Sequence, residues 1–211
     1  PYTGKDMPDQ GALGHVLRTV LESQGIDIEM KFLPWARAKR VAEQDSDMIG
    51  YFPPWELGIE DGFFGVKMVS SPVGFAQRAE NPIEWSNLDD LTGLKIGYIP
   101  EYGNPEDFMA RVDSGDIVGD AVPHDLNGLR MLSRGRLDAV LTDPYLTQFY
   151  LQNDSQLGQS DIEFNDRFLV EHMMYIAFED TAENRERAKI VKEAFKDIDF
   201  EKMISEYLNK L

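Results

Sequence analysis

Asp143 closes a short apolar run, Leu137 to Thr142, and is followed at once by Pro144. The run has the length and character of a strand buried on both faces of a parallel sheet. Pro144 suits the first position of a following helix. In open α/β sheets the ligand crevice lies outside the carboxyl ends of the strands. A carboxylate there can receive the cationic or hydrogen-bonding end of a ligand; it can equally cap the helix that Pro144 opens. Aromatic residues recur at the same kind of place. Trp35, Trp55, Tyr102 and Tyr145 each follow an expected strand, and Tyr2 lies in the opening turn Pro1-Tyr2-Thr3-Gly4. Pockets for small molecules favour aromatic walls with a few aimed polar groups. Each ring taken alone can pack a loop onto the core; taken together they point to the walls of one cleft.

Catalytic chemistry finds less support. A nucleophile needs a positioned base beside it, and His15, His124 and His172 have no recognisable partners in the sequence. His15 lies beside an apolar helical stripe and reads as structural. His172 sits next to an expected crossover. There is no H-E-x-x-H, no Walker glycine loop and no G-x-S-x-G. The acidic pairs Asp89-Asp90 and Glu60-Asp61 read as solvated loop charges. No catalytic set, metal site or cofactor is expected.

The elements that must hold these residues follow from periodicity. Ala12 to Gln24 carries Leu13, Val16, Leu17, Val20 and Leu21 on one helical face, and Gly25 ends it. Ile28 to Leu33 alternates as a strand would, Ala36 to Glu43 resumes as helix, and Asp47 to Phe52 is a second strand stopped by Pro53-Pro54. Val66 to Ser70 is a further strand, and this order implies a parallel sheet. Gln77 to Trp85 is polar, lacks helical spacing and reads as a passage between lobes. A second alternating set follows: strand Lys95 to Ile99, helix Glu106 to Val112, strand Ala121 to Pro123, a helix capped by Asp125 and ended by Gly135, and the strand before Asp143. Phe168 to Phe178 is a last strand. Thr181 and Asp199 cap two closing helices.

The 211 residues suffice for one large domain or two small ones, and 42% hydrophobic content allows a real core. The formal net charge of -17 argues against a nucleic-acid partner, which needs clustered Lys and Arg. With no cysteine, disulfides and thiolate chemistry are excluded. No apolar run approaches the ~20 residues that span a bilayer. The abrupt turn at Pro1 leads us to expect that a segment precedes it.

Several pieces of the chain resemble the family 3 extracellular solute-binding proteins, the polar amino-acid receptors of ABC importers. They are Pro1-Tyr2-Thr3-Gly4 with Gly11, Phe32-Leu33-Pro34-Trp35-Ala36-Arg37, Leu88-Asp89-Asp90-Leu91-Thr92-Gly93-Leu94-Lys95-Ile96-Gly97 and Met131-Leu132-Ser133-Arg134-Gly135-Arg136-Leu137-Asp138-Ala139-Val140. The resemblance implies an α/β, two-lobed, periplasmic-binding-protein-like fold (type II, Venus flytrap) with two crossover strands and a ligand between lobes. The crossovers fall near 73–76 and 173–178, giving a discontinuous lobe 1 (1–74 plus 175–211) and lobe 2 (75–174). It further implies a periplasmic or membrane-tethered extracellular protein, monomeric, serving a membrane permease.

Amino-acid binders of this family usually clamp the ligand carboxylate with an arginine after the strand matching Asp47 to Phe52. Here Pro53 to Gly65 has no Lys or Arg and carries Glu56, Glu60 and Asp61. Asp143 matches the position that often receives the ligand's amino group. The expected ligand therefore has a cationic or hydrogen-bonding end near Asp143 and no ordinary carboxylate clamp. Arg37 or Arg78 can stand in for the lost arginine or be surface groups, and the backbone of 103–107, with Gly103 and Asn104, can hold an anion at a helix start. The expected ligand contacts are Tyr2, Trp35, Arg37, Trp55, Phe75, Tyr102, Gly103, Asn104, Asp143 and Tyr145. Two other readings stay open: the sensor lobe of a membrane receptor kinase, and an enzyme similar to cyclohexadienyl dehydratases, for which Glu171 is a conceivable cleft acid.

Overall fold

The computed structural model describes residues 1–211, the side chains of residues 57 and 101 apart. Its helices are α1 (Ala12–Glu22), α2 (Trp35–Gln44), α3 (Glu106–Ser114), α4 (Asp125–Ser133), α5 (Pro144–Asn153), α6 (Ala182–Phe195) and α7 (Phe200–Leu208). Its strands are β1 (Gly50–Tyr51), β2 (Phe63–Arg78), β3 (Lys95–Tyr98), β4 (Val118–Ala121), β5 (Ala139–Thr142) and β6 (Ile162–Glu179), in the sheet order β1-β6-β2-β5-β3-β4. The chain forms two compact units, one of Pro1–Ser71 with His172–Lys210, the other of Pro72–Glu171. The long strands β2 and β6 each contribute to both.

In the first unit α1 buries its stripe of Leu13, Val16, Leu17, Val20 and Leu21, and α7 packs on it with Ile204, Tyr207 and Leu208 buried. The opening tetrapeptide serves this helix. The carbonyls of Pro1 and Tyr2 accept from the amides of Ala12 (2.9 Å) and Leu13 (2.8 Å), two of the donors a helix start leaves unpaired. Gly11 makes the approach possible: its φ is +96°, and a Cβ there would stand 2.7 Å from the Tyr2 carbonyl oxygen.

Two sequence expectations fail in this unit. Residues 26–34 form no strand, although their burial alternates, because no neighbouring strand supplies a ladder. The expected parallel order is also absent. β1 pairs antiparallel with β6, Gly50 opposite Phe178 and Tyr51 opposite Ala177. The partner comes from the far end of the chain, which local periodicity does not reveal.

The second unit holds the parallel set. β3 pairs parallel with β4 and β5, and β2 runs antiparallel to β5. Successive strand residues face opposite sides, and each side has its own core. Phe75, Leu91, Ile96, Phe108, Ile117 and Leu141 fill one; Ala76, Leu129, Leu132, Leu137, Val140 and Leu157 fill the other. The polar stretch after Phe75 is not a free passage. β2 runs on to Arg78, and buried Gln77 donates to Glu163 (2.8 Å) and accepts from the Ile83 amide and Asn165 (both 2.9 Å).

Candidate functional site

In the first unit Trp35 opens α2 directly after Pro34 and stays 45% exposed. The ring of Tyr51 meets it edge-on at 5.7 Å, and Lys39, one helical turn along, lies 5.9 Å above its face. Lys39 is ion-paired with Glu60. The Tyr51 hydroxyl donates to the Gly58 carbonyl (3.0 Å) and accepts from the Glu60 amide (2.8 Å), which fixes the turn after β1. Burial, with the nearby Glu60 charge, raises the Tyr51 pKa against the opposing effect of the Glu60 amide. Trp55 bridges Met174 through its backbone and stacks on His172 at 4.0 Å with the rings 14° apart. Burial holds His172 below the ordinary histidine range. Tyr2 is buried, and Arg37 is exposed on α2.

In the second unit Asp143 sits at the tip of β5 as the N-cap of α5. Its Oδ1 accepts from the amides of Tyr145 (2.7 Å) and Leu146 (3.2 Å), and only 4% of the residue is exposed. The capping role is therefore real, and Tyr145 is placed by it. Tyr102, Gly103 and Asn104 form the turn after β3. Gly103 is left-handed, and Asn104 Nδ2 donates to the Ile99 carbonyl at 2.9 Å.

One residue beside this turn differs from the sequence expectation. Asp125 does not cap α4; His124 is the N-cap. Asp125 is 2% exposed, and its two oxygens accept hydrogen bonds from the Tyr102 hydroxyl (2.7 Å) and Thr142 Oγ1 (2.6 Å). It joins the turn after β3 to the tip of β5, one residue before Asp143. Burial first, then the Asp125 charge and hydrogen bond, push the Tyr102 pKa well above the usual tyrosine range. Burial and Asp125 raise that of Tyr150 as well.

Three expectations change here. Phe75 is core: it is 0% exposed, with Trp85 edge-on at 5.2 Å and Phe108 at 6.4 Å, and offers no surface to a solute. Arg78 is committed to structure, donating through Nη1 to the carbonyls of Leu137 (2.6 Å) and Leu132 (3.2 Å). The start of α3 carries Glu106 and Asp107 in its first turn, so carboxylates already face its positive pole and an anion is disfavoured there. Among the described residues, no group of three or more His, Asp or Glu is placed to hold a metal ion, and no helix is long and apolar enough to cross a membrane.

No protein-family model and no curated protein matches the sequence. Solved structures do. Substrate-binding domain 2 of GlnP from Lactococcus lactis, in an open conformation, aligns with a TM-score of 0.73 at 14% identity, covering 98% of this chain and 89% of that one. The amino acid ABC transporter substrate-binding protein AbpA from Streptococcus pneumoniae, bound to L-arginine, aligns at 0.64 with 13% identity, covering 94% and 84%. A histidine kinase sensor domain with similarity to periplasmic binding proteins aligns at 0.67 with 15% identity, covering 94% and 86%. These likenesses establish an α/β fold of the periplasmic-binding-protein kind.

Proposed function

We propose that this chain is a solute-binding domain that takes up a small polar, amino-acid-like molecule outside the cytoplasmic membrane and delivers it, as a monomer, to the permease of an ABC importer. The observation that supports it most is the fold: alignment runs over nearly the whole chain against amino-acid transport domains, one of them solved with L-arginine. On this reading Tyr2, Trp35, Arg37 and Trp55 in one unit, and Tyr102, Gly103, Asn104, Asp143 and Tyr145 in the other, contact solute. No catalytic step is assigned to any of them.

Charge narrows the solute. The stretch 53–65 has no basic residue, Lys39 is held by Glu60, and Arg78 is held by backbone carbonyls. Asp143 and Asp125 lie in the second unit near Tyr102. This favours a solute with a cationic or donor-rich end over one recognised by its carboxylate.

A thermal-shift screen of the purified chain against amino acids, amines and other polar metabolites tests the proposal. A ligand that binds only the folded state raises the melting temperature, and at least one such solute is expected; a flat response across the library counts against the proposal. The likeness to a histidine kinase sensor domain supports a second reading, in which the same binding event reports to a kinase. The gene context of the complete reading frame separates the two.

A further inference from the structure

We infer that Asp125 is a specificity-determining residue: by taking the Tyr102 hydroxyl proton in a hydrogen bond it turns that phenol into an acceptor, so that the second unit selects solutes carrying N–H donors. The inference rests on the solute-binding proposal above and adds the chemical class of the group recognised.

Hydrogen-bond capacity decides what the phenol can offer. An ionised carboxylate only accepts, whereas a hydroxyl has one proton to give. Asp125 is almost wholly buried, and each of its oxygens takes one hydroxyl proton, from Tyr102 at 2.7 Å and from Thr142 at 2.6 Å. Both hydroxyls have thereby spent their only donor, and what each retains is lone pairs. Tyr102 as a residue is 41% exposed, and any group that reaches its oxygen meets an acceptor. Asp143, one residue beyond Thr142, is a carboxylate as well. A serine or asparagine at 125 would let the phenol point its proton outward and donate to an oxygen of the solute. The buried carboxylate forbids that orientation.

Asp125 acts through Tyr102 and is a positioning residue. The α4 start favours an acidic side chain, which alone would explain an aspartate there. It does not explain why both oxygens are spent on hydroxyls from two other segments.

The test uses the intact chain with L-lysine and putrescine as probes, each beside its permethylated counterpart, which keeps the positive charge but has no N–H on that nitrogen. Calorimetry is expected to show the primary ammonium bound at least tenfold more tightly than the permethylated form. Asp125→Asn and Tyr102→Phe should each shrink that ratio toward one, and the double variant should shrink it no further. In parallel, ring-labelled tyrosine followed by NMR should show Tyr102 ionising at lower pH in Asp125→Asn than in the wild type, its signal assigned with Tyr102→Phe. Undiminished preference in both variants, or no preference in the wild type, overturns the inference and leaves the solute-binding proposal standing. The proposal itself falls separately, when no member of the wider library shifts the melting temperature. Should Asp125→Asn fail to fold, Tyr102→Phe carries the binding arm, because it removes one hydroxyl from a partly exposed ring.

Discussion

Asp143 can be taken apart into a structural and a functional half. Its Oδ1 accepts from two amides in the first turn of α5, and asparagine caps a helix as well as aspartate does. Asp143→Asn therefore keeps the cap and loses the charge, which near the helix pole contributes about 0.5 kcal/mol. Asp143→Ala loses the cap itself, about 1 kcal/mol more. Solute binding should order the two variants differently. A hydrogen bond to a charged partner contributes about 1.5–3 kcal/mol, so removing the charge should raise Kd by about 10- to 150-fold for a cationic solute in both variants. Urea unfolding read by circular dichroism measures the first effect and titration calorimetry the second. A well-folded Asp143→Asn that binds a cationic solute as tightly as the wild type would show that the carboxylate does not hold the solute's charge. An Asp143→Ala variant as stable as the wild type would refute the capping geometry.

Other substitutions probe the frame. A Cβ at Gly50 would stand 2.0 Å from the Ala177 carbonyl oxygen, a backbone atom in the paired strand, so Gly50→Ala should cost about 2–4 kcal/mol in urea unfolding; Gly25→Ala, with φ +73° but open space around it, should cost about 1 kcal/mol. Equal effects would contradict the β1–β6 register. Phe75→Ala should destabilise by about 3–5 kcal/mol, and Phe75→Leu should leave solute selectivity unchanged; lost binding without lost stability would put Phe75 on a binding surface after all. His172 titrates below the ordinary range because burial disfavours its charged form, so below about pH 6.5 the unfolded chain binds a proton that the folded chain refuses. Stability should fall as pH drops through that window and level off beneath the folded pKa. His172→Phe, which keeps a ring against Trp55, should remove that part of the decline; an unchanged pH profile would show that His172 is not its source.

What the sequence revealed and what it hid divide along one line. Local signals were readable. The stripe of α1, the caps at Thr181 and Asp199, the left-handed Gly135 and the doubly covered strand β5 all rest on neighbours a few residues away, and the structure has each of them. Long-range partners were not readable. The alternation of Ile28, Met30 and Phe32 looks like a strand until the sheet proves to have no place for it, and β1 finds its partner more than a hundred residues away. The place of Asp143, at the tip of β5 and the start of α5, was legible because proline and an apolar run bracket it. Phe75 resembled a cleft residue because a crossover strand and a core strand carry the same apolar pattern. Asp125 is conspicuous in the sequence but reads as a cap, as an aspartate at a helix start does. Only the fold brings Tyr102 and Thr142 onto its two oxygens. Its signal in sequence, a tyrosine and a threonine at the ends of two strands, is intelligible only once the strands are known to be neighbours.

The most direct measurement is a calorimetric titration of unfolded, dialysed and refolded protein, freed of any solute carried through purification, with each molecule that raises the melting temperature. We predict saturable one-to-one binding of a small polar solute with a cationic or donor-rich end, weakened about tenfold or more in Asp143→Asn. A correctly refolded chain that takes up no solute, or one that binds ordinary acidic amino acids tightly and indifferently to Asp143, would contradict it.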